Sequence, residues 1–364
     1  MLKASFGYQG GITAPQKSAA LAGYDVLKDG GTAIEAMVAA AATVAVTYPH
    51  MNGIGGDAFW LIKRVNEKPI GISGCGYSAS KASVAWYKDR GITGKIPTRG
   101  ALSCLTVPGA VASWDKALSL VKNPMPISDL LANSITYAKD GFAVTENQSD
   151  CIGNKFKELN PVKGFADAFL DNKQVPKPGA LFKQVALANT LETLGIDGLD
   201  SFYRGDIGKT NANFLSQNGS PLTVNDFNEF NAEFVKPIKA MISKGEIYNL
   251  PAPTQGISSL MILALYDKLH AMEPDSFEHI HSLIEITKRV FLKRNTELGD
   301  PKYMKSSEQS WLNEDILEHL LKGIDFSTAM TWPYLPNRGD TIWMGAIDGE
   351  GTAVSFIQSV FWEF

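Results

Sequence analysis

The sequence predicts a globular protein in which α-helices and β-strands are mixed, and three observations support this fold class. The chain of 364 residues is 45% hydrophobic and 20% charged, which provides enough apolar residues for a sizeable core. Its mean hydropathy of −0.06 excludes a protein embedded in a membrane. Helical periodicity dominates the first part of the chain, while the last part alternates like paired strands. Collagen, coiled coil and disorder are excluded, because the 33 glycines follow no period and 10% of the residues are aromatic.

The first part of the chain predicts two consecutive helices. A helix over about 15–28 is indicated by a proline in its first turn and by apolar residues at helical spacing, and Gly30 and Gly31 end it. Thr32 and Glu35 then form a capping-box pattern, which predicts the start of a second helix that runs to about residue 46. This helix is rich in alanine, so we expect it to pack closely against its neighbours.

A glycine-rich segment at 53–56 precedes an apolar run at 58–62, which predicts a buried strand. A glycine cluster can also cradle a phosphate group, but such a loop ends in Lys-Ser/Thr and leads into a helix, and this one does neither. The sequence therefore favours a tight turn. A Ser-x-x-Lys pattern at 78–81 lacks the partner segments of penicillin-recognising enzymes and carries no assignment.

The rest of the chain alternates predicted helices with predicted strands. Periodicity predicts three further helices: 128–139, 181–194 and 277–294. An alternating pattern predicts a strand over 240–250. Near the end, two alternating segments at 341–347 and 352–359 flank the turn residues Asp348 and Gly349, which predicts a β-hairpin.

Charge and the scarce reactive residues exclude several classes of protein. A net charge of −4, from 34 basic and 38 acidic residues, argues against a nucleic-acid-binding protein. Cys75, Cys104 and Cys151 are too widely spaced for a metal-binding pair and too few for a disulfide framework. His279 and His281 point to different faces of the predicted helix, so we expect no metal site there.

No segment of the sequence predicts export or a membrane span. The N-terminus lacks the long apolar region of a signal peptide, and the longest apolar stretch, at 36–46, is too short to cross a bilayer. We expect a cytoplasmic protein with no membrane partner. The alternative, a periplasmic or extracellular location, applies if a signal peptide was removed before residue 1.

Seven segments, in order along the chain, resemble the signature segments of the γ-glutamyltranspeptidase family. They are 11–36, 49–56, V-P-G-A-V-A at 107–112, A-K-D-G-F at 138–142, P-A-P-T-Q-G at 251–256, L-G-D-P at 298–301, and 341–364. Each segment is short, and their specificity lies in the shared order. The resemblance extends from residue 11 to residue 364.

The resemblance implies an α+β fold, the four-layer αββα sandwich of the N-terminal-nucleophile hydrolases, made as a precursor that cuts itself. The matching position for the cut lies between Asp340 and Thr341. Residues 1–340 would then form a large-subunit-like region. Residues 341–364 would begin a small-subunit-like region of the same intertwined domain.

The implied chemistry depends on Thr341 as the nucleophile. Before the cut its hydroxyl attacks the preceding carbonyl, and the resulting ester is opened by water; afterwards the new α-amine acts as the base. Ser359 matches the residue that hydrogen-bonds this nucleophile, and Trp343 stands where the family has histidine. The implied partners are a small-molecule amide substrate and the chain's own small subunit, with no metal, cofactor or nucleic acid. Assembly into a homo-oligomer is left open.

Two positions depart from the family pattern and bear on the substrate. Cys75 stands where the family has an arginine that grips the α-carboxylate of the γ-glutamyl group, and Phe361 stands where it has an asparagine near the α-amino group. A thiol does not replace a bidentate arginine. We therefore expect a self-processing amide hydrolase or acyltransferase with altered acyl specificity.

Two alternatives remain open from the sequence. One is a true γ-glutamyltranspeptidase that acts on glutathione with other residues in place of the arginine and asparagine. The other is a non-maturing pseudoenzyme or binding protein. Because the family's glycine-rich oxyanion segment would lie beyond Phe364, we expect a longer precursor with an incomplete small-subunit portion here. The hairpin at 341–359 is expected to take its outer neighbouring strands from that further chain.

Overall fold

Residues 7–269, 272–334 and 341–364 are described in the computed structural model of the protein, and they fall into two compact units. The first unit is built from residues within 1–67, 72–234 and 339–364. The second is built from residues within 68–71 and 235–338. The division into regions 1–340 and 341–364 concerns processing and stays a prediction. In the structure, residues 341–364 belong to the first unit.

The helices and strands are numbered separately in chain order. The helices are α1 (Lys17–Lys28), α2 (Ala33–Thr47), α3 (Val84–Lys88), α4 (Ala110–Leu118), α5 (Ile127–Asp140), α6 (Glu146–Leu159), α7 (Phe165–Phe169), α8 (Val185–Asp197), α9 (Ser201–Arg204), α10 (Asp206–Gln217), α11 (Val224–Glu229), α12 (Gly256–Asp267), α13 (Phe277–Glu297) and α14 (Glu314–Lys322). The strands are β1 (Gly10–Thr13), β2 (Asp57–Lys63), β3 (Ile70–Gly74), β4 (Phe142–Ala143), β5 (Leu181–Phe182), β6 (Glu233–Val235), β7 (Ile238–Ile242), β8 (Gly245–Asn249), β9 (Ile342–Asp348) and β10 (Ala353–Ser359).

Helix α2 lies at the centre of the larger core, and all 15 of its residues are buried. Its start is the predicted capping box, in which Thr32 and Glu35 exchange hydrogen bonds between side chain and backbone. The backbone N–H of Ala33 donates to Oδ2 of Asp348 at 3.0 Å, so the predicted hairpin turn and the start of this helix are joined. A carboxylate at a helix N-terminus is stabilised by the helix dipole.

The main sheet has six strands in the order β1-β9-β10-β2-β3-β6. The hairpin β9–β10 is confirmed, and it lies inside the sheet, because β9 pairs with β1 and β10 pairs with β2, both antiparallel. The expectation that its outer neighbours come from chain beyond residue 364 was therefore wrong. Those neighbours come from the first 63 residues, and sequence distance does not limit strand pairing.

Two other expectations required correction. The helix predicted over 181–194 begins at Val185, because Leu181 and Phe182 pair as β5 with β4 instead. The strand predicted over 240–250 is a hairpin, in which β7 and β8 pair antiparallel around a turn at Ser243 and Lys244. Both regions have the apolar spacing on which the predictions depend. In the first, pairing with β4 turns the start of the predicted helix into a strand, and in the second, a turn divides the predicted strand into two.

In the second unit, α12 packs against β7, β8 and α13. Its core consists of buried apolar side chains, which include Ile257, Leu260, Met261, Leu265, Ile286 and Trp311. The predicted helix over 277–294 is confirmed as α13.

Candidate functional site

Three polar residues form a row across the middle of the main sheet, at one end of adjacent strands. Ser359 is the last residue of β10 and pairs with Asp57, the first residue of β2. On its other side Gln358 pairs with Ile342, so the register continued by one residue places Thr341 opposite Ser359. Neighbouring strands lie about 4.8 Å apart. The row Thr341–Ser359–Asp57 therefore lies on three adjacent strands.

The row lies on the more open face of the sheet. Buried side chains of β9 and β10 alternate with more exposed ones, and Ile342 and Gln358, next to the row, point into the core. Thr341 is exposed, while Ser359 and Asp57 are half-buried. Asp340 lies outside the described residues.

Ser359 Oγ accepts a hydrogen bond of 2.9 Å from the backbone N–H of Phe361. Phe361 has a positive φ of 79° and its side chain is 83% exposed. The backbone of this segment thus turns immediately after β10, and the turn directs the Phe361 ring to solvent rather than onto the row. A role for Phe361 in substrate binding remains a prediction.

The glycine-rich segment before β2 packs directly against the end of β10. A side-chain Cβ at Gly56 would lie 2.7 Å from the carbonyl carbon of Ser359 and 2.9 Å from Cα of Val360. The carbonyl oxygen of Gly56 accepts bonds of 2.9 Å from the N–H groups of Gly109 and Ala110 at the start of α4. The tight-turn interpretation is therefore confirmed, and the turn needs glycine because two backbones approach closely.

A buried polar network holds β10 on the side of the sheet that faces the core. Gln358 is fully buried; its Oε1 accepts from Trp114 Nε1 at 3.0 Å and its Nε2 donates to Asn52 Oδ1 at 2.6 Å. Asn52 Nδ2 in turn donates to the carbonyl of Gln358 at 2.9 Å. Buried groups paired on every side hold one conformation, so the strand that ends in Ser359 is well fixed.

Asp57 is the residue of the row that sequence reasoning missed. Its Oδ1 accepts a 3.0 Å hydrogen bond from the backbone N–H of Gly76, just after β3. Burial raises the pKa of Asp57 to about 6, and this hydrogen bond offsets part of the rise. The available signal was a carboxylate placed directly after a glycine turn and directly before the predicted buried strand at 58–62.

The segment that follows β3 carries the predicted substrate residue Cys75, which is half-buried. Next to it, Tyr77 donates a hydrogen bond to Glu233, and this bond raises the pKa of Tyr77 to about 12. The Tyr77 ring packs edge-on against Phe230, with centroids 5.7 Å apart. The residues after Cys75 thus contact two carboxylates and an aromatic ring: Gly76 bonds to Asp57, and Tyr77 contacts Glu233 and Phe230.

Replacing Asp57 by asparagine is expected to stabilise the protein above pH 6. The folded-state pKa of about 6 lies above the usual 3.8, so the folded state binds the proton more tightly. The stability that this tighter proton binding contributes is present below pH 3.8, is lost as the pH rises towards 6, and is absent above pH 6. We expect Asp57→Asn to be more stable than wild type by about 3 kcal/mol at pH 7.5 and about 1 kcal/mol at pH 4.5. Urea unfolding at the two pH values measures this, and an equal difference at both would contradict it.

The described residues contain no group of three or more His, Cys, Asp or Glu side chains that could hold a metal ion. His279 Nδ1 accepts from the backbone N–H of Asp275, and His281 Nε2 lies 3.1 Å from the carbonyl of Asp325. Within the same residues, no helix has both the length and the apolar character needed to span a membrane.

The chain is similar to a protein family, to several named proteins and to solved structures. A family model described as Gamma-glutamyltranspeptidase matches residues 19–364. The oxamate amidohydrolase proenzyme of Klebsiella pneumoniae is 40% identical over 359 residues, which are 98% of this chain and 67% of that protein. The glutathione hydrolase-like YwrD proenzyme of Bacillus subtilis is 33% identical over 367 residues, or 100% and 69%. The solved structure of cephalosporin acylase from Bacillus halodurans matches with a TM-score of 0.90 at 28% identity, over 99% of this chain and 67% of that one. The chain thus spans about two thirds of the length of these relatives.

Proposed function

Since this chain belongs to the γ-glutamyltranspeptidase family, we propose that it is a self-processing amide hydrolase with Thr341 as its nucleophile and an acyl group other than γ-glutamyl as its substrate. The family resemblance and the fold class predicted from the sequence are confirmed. Membership makes the chain a hydrolase or acyltransferase, and relatives named as proenzymes support maturation by a cut into two subunits. The site residues and the substrate are our assignment.

One observation carries the nucleophile assignment: Thr341 precedes a strand of the central hairpin and lies opposite Ser359 across it. In the precursor, the Thr341 hydroxyl attacks the carbonyl carbon of Asp340. The peptide C–N bond breaks and the nitrogen takes the hydroxyl proton, which frees the α-amine of Thr341. Water then opens the ester, restoring the Thr341 hydroxyl and leaving a carboxyl group on Asp340. That amine, with a usual pKa near 8, then accepts the hydroxyl proton when Thr341 attacks the substrate amide. Ser359 would orient the hydroxyl, since it lies on the adjacent strand.

Substrate hydrolysis follows the same pattern of bond changes. The Thr341 oxygen forms an ester with the acyl group, and the amine leaves with the proton that the α-amine had accepted. Water then attacks the ester and gives a proton to the α-amine, which passes it to the Thr341 oxygen as the acid leaves. No step requires a histidine or a metal ion.

The acyl specificity follows from the segment after β3. Cys75 supplies no charge to grip an α-carboxylate, and Glu233 places an acceptor beside Tyr77 instead. The loss of one charged contact is worth about 2–4 kcal/mol, or roughly thirty- to a thousand-fold in kcat/KM. The 40% identical relative is named for oxamate, whose acyl group carries a carboxylate but no α-amino group, and this supports an acyl group that lacks the α-amino group of γ-glutamyl.

A series of amides tests this proposal on the full-length protein. We expect glutaryl- and hexanoyl-p-nitroanilide, and oxamate by ammonia release, to be hydrolysed with higher kcat/KM than γ-glutamyl-p-nitroanilide. If the γ-glutamyl compound is better by a hundred-fold or more, the specificity argument is wrong and the chain is a true γ-glutamyltranspeptidase.

The alternative of a non-maturing pseudoenzyme is decided separately. A denaturing gel of the purified protein should show two bands, and sequencing of the smaller one should begin at Thr341. A single band together with no hydrolysis of any amide in the series would establish the pseudoenzyme.

A further inference from the structure

The carboxyl of Asp57 joins two parts of the site that are far apart in sequence. Its backbone pairs with Ser359 at the end of β10, and its Oδ1 accepts from the N–H of Gly76, one residue after Cys75. Asp57 therefore connects β10, the strand that lies beside the proposed nucleophile, to the segment that carries the proposed acyl-binding residue.

The segment after β3 is confined on its other side. A Cβ at Gly76 would lie 2.9 Å from the carbonyl carbon of Val107, and the N–H of Val107 donates to the carbonyl of Tyr77 at 3.0 Å. Ser78 and Thr106 continue the pairing as an isolated bridge. The segment is held by Val107 on one side and by Asp57 on the other, so the position of Gly76 is fixed. The position of Cys75, the preceding residue, is fixed with it.

We propose that Asp57 is a positioning residue for the acyl-binding part of the site: its carboxyl holds the 74–77 segment against the start of β2, and this position sets substrate affinity. The inference rests on the proposed function for its kinetic consequences. It goes beyond that function because it assigns a residue that touches neither the nucleophile nor the scissile bond.

The protonation state of Asp57 gives this role a pH dependence. A charged carboxylate accepts a stronger hydrogen bond than a neutral acid, so the segment is held most firmly when Asp57 is ionised. Burial raises the pKa of Asp57 to about 6, so the change falls within the working range of an enzyme. The titratable group of the packed helix α9 that interacts with it is Tyr203. Burial holds the pKa of Tyr203 far above its usual value, and Tyr203 stays neutral throughout this range.

Kinetics of two variants test the proposal. Asp57→Ala removes the acceptor, and we expect KM for the best amide of the series to rise at least tenfold while kcat changes less than threefold. Asp57→Asn keeps an oxygen that can accept from Gly76, so its KM at pH 7.5 should stay within threefold of wild type. From pH 7.5 to 5, KM of wild type should rise about three- to tenfold and KM of Asp57→Asn should stay level.

Asp267→Ala is the matched control, because the Asp267 carboxylate also accepts from a backbone N–H, that of Ser243 at 2.7 Å, in the second unit. Its KM and kcat should equal those of wild type. The proposal is overturned if Asp57→Ala leaves KM within twofold of wild type. It is equally overturned if kcat falls while KM stays constant, because the residue would then act in the chemical step.

A second measurement is independent of activity. With Cys104 and Cys151 replaced by serine, the rate at which Cys75 reacts with 5,5′-dithiobis(2-nitrobenzoic acid) reports how firmly its segment is held. We expect Asp57→Ala to react at least fivefold faster than its parent at the same pH, and an equal rate would overturn the proposal. If wild type hydrolyses no amide, the proposed function fails, and this labelling comparison alone decides the role of Asp57.

Discussion

Thr341→Ala is expected to remain a single uncut chain and to lose amide hydrolysis by more than a thousand-fold. Alanine has no hydroxyl, so neither the ester that precedes the cut nor the ester formed with substrate can arise. Thr341→Ser keeps the hydroxyl and should still be cut. The measurement is a denaturing gel over time, with sequencing of the smaller band and an assay on the best amide of the series.

Thr296→Ala is a suitable control, because Thr296 is an exposed threonine near the end of α13 whose hydroxyl bonds only within its own helix. It should be cut and active like wild type. A cut that persists in Thr341→Ala would show that another residue starts the processing, and the nucleophile assignment would be wrong.

Gly56→Ala is expected to destabilise the protein by about 2–3 kcal/mol and to lower kcat/KM about a hundred-fold. The new methyl group would meet the backbone of Ser359 and Val360, and backbone cannot move aside as a flexible side chain can. The end of β10 must shift, and a displacement of about 1 Å at a reacting group costs on the order of a hundred-fold.

Gly55→Ala is the control for this substitution in the adjacent position. A Cβ at Gly55 meets nothing within 4 Å, and Gly55 does not have a positive φ. Its replacement should therefore be neutral or stabilising by up to about 1 kcal/mol, through the entropy of the unfolded chain. Thermal or urea unfolding of both variants, together with kinetics, decides between them. Equal effects of the two substitutions would mean that the close approach of Gly56 to β10 contributes neither to the free energy of unfolding nor to kcat/KM.

Local signals in the sequence predicted the elements that local interactions determine. Thr32 and Glu35 indicated the start of α2 because a capping box is complete within four residues. Asp348 and Gly349 indicated the hairpin because its turn and both strands lie in one stretch of chain. Thr341 and Ser359 both belong to that stretch, so the sequence alone could place them at one end of adjacent strands.

Pairing between distant segments left no such signal. Strand β1, Gly10–Thr13, has two glycines and too few residues for a pattern, and its partner Asp348 lies at the other end of the chain. In the sequence, Asp57 is an ordinary polar residue between the glycine turn and the predicted strand at 58–62. Its importance depends on Ser359 and Gly76, and only the register of the folded sheet brings these residues together.

The position of the hairpin inside the sheet has a consequence for the order of events during maturation. Thr341 and Ser359 become neighbours only when β9 and β10 have paired, and these strands are held between β1 and β2, which come from the start of the chain. A cut before residue 341 would therefore occur after assembly, and it would leave the new terminus on a strand that is hydrogen-bonded along both edges. The two products should co-purify and unfold as one cooperative species. A cut chain is then a molecule that has folded, because a misassembled chain would not be cut and would not acquire the reactive α-amine.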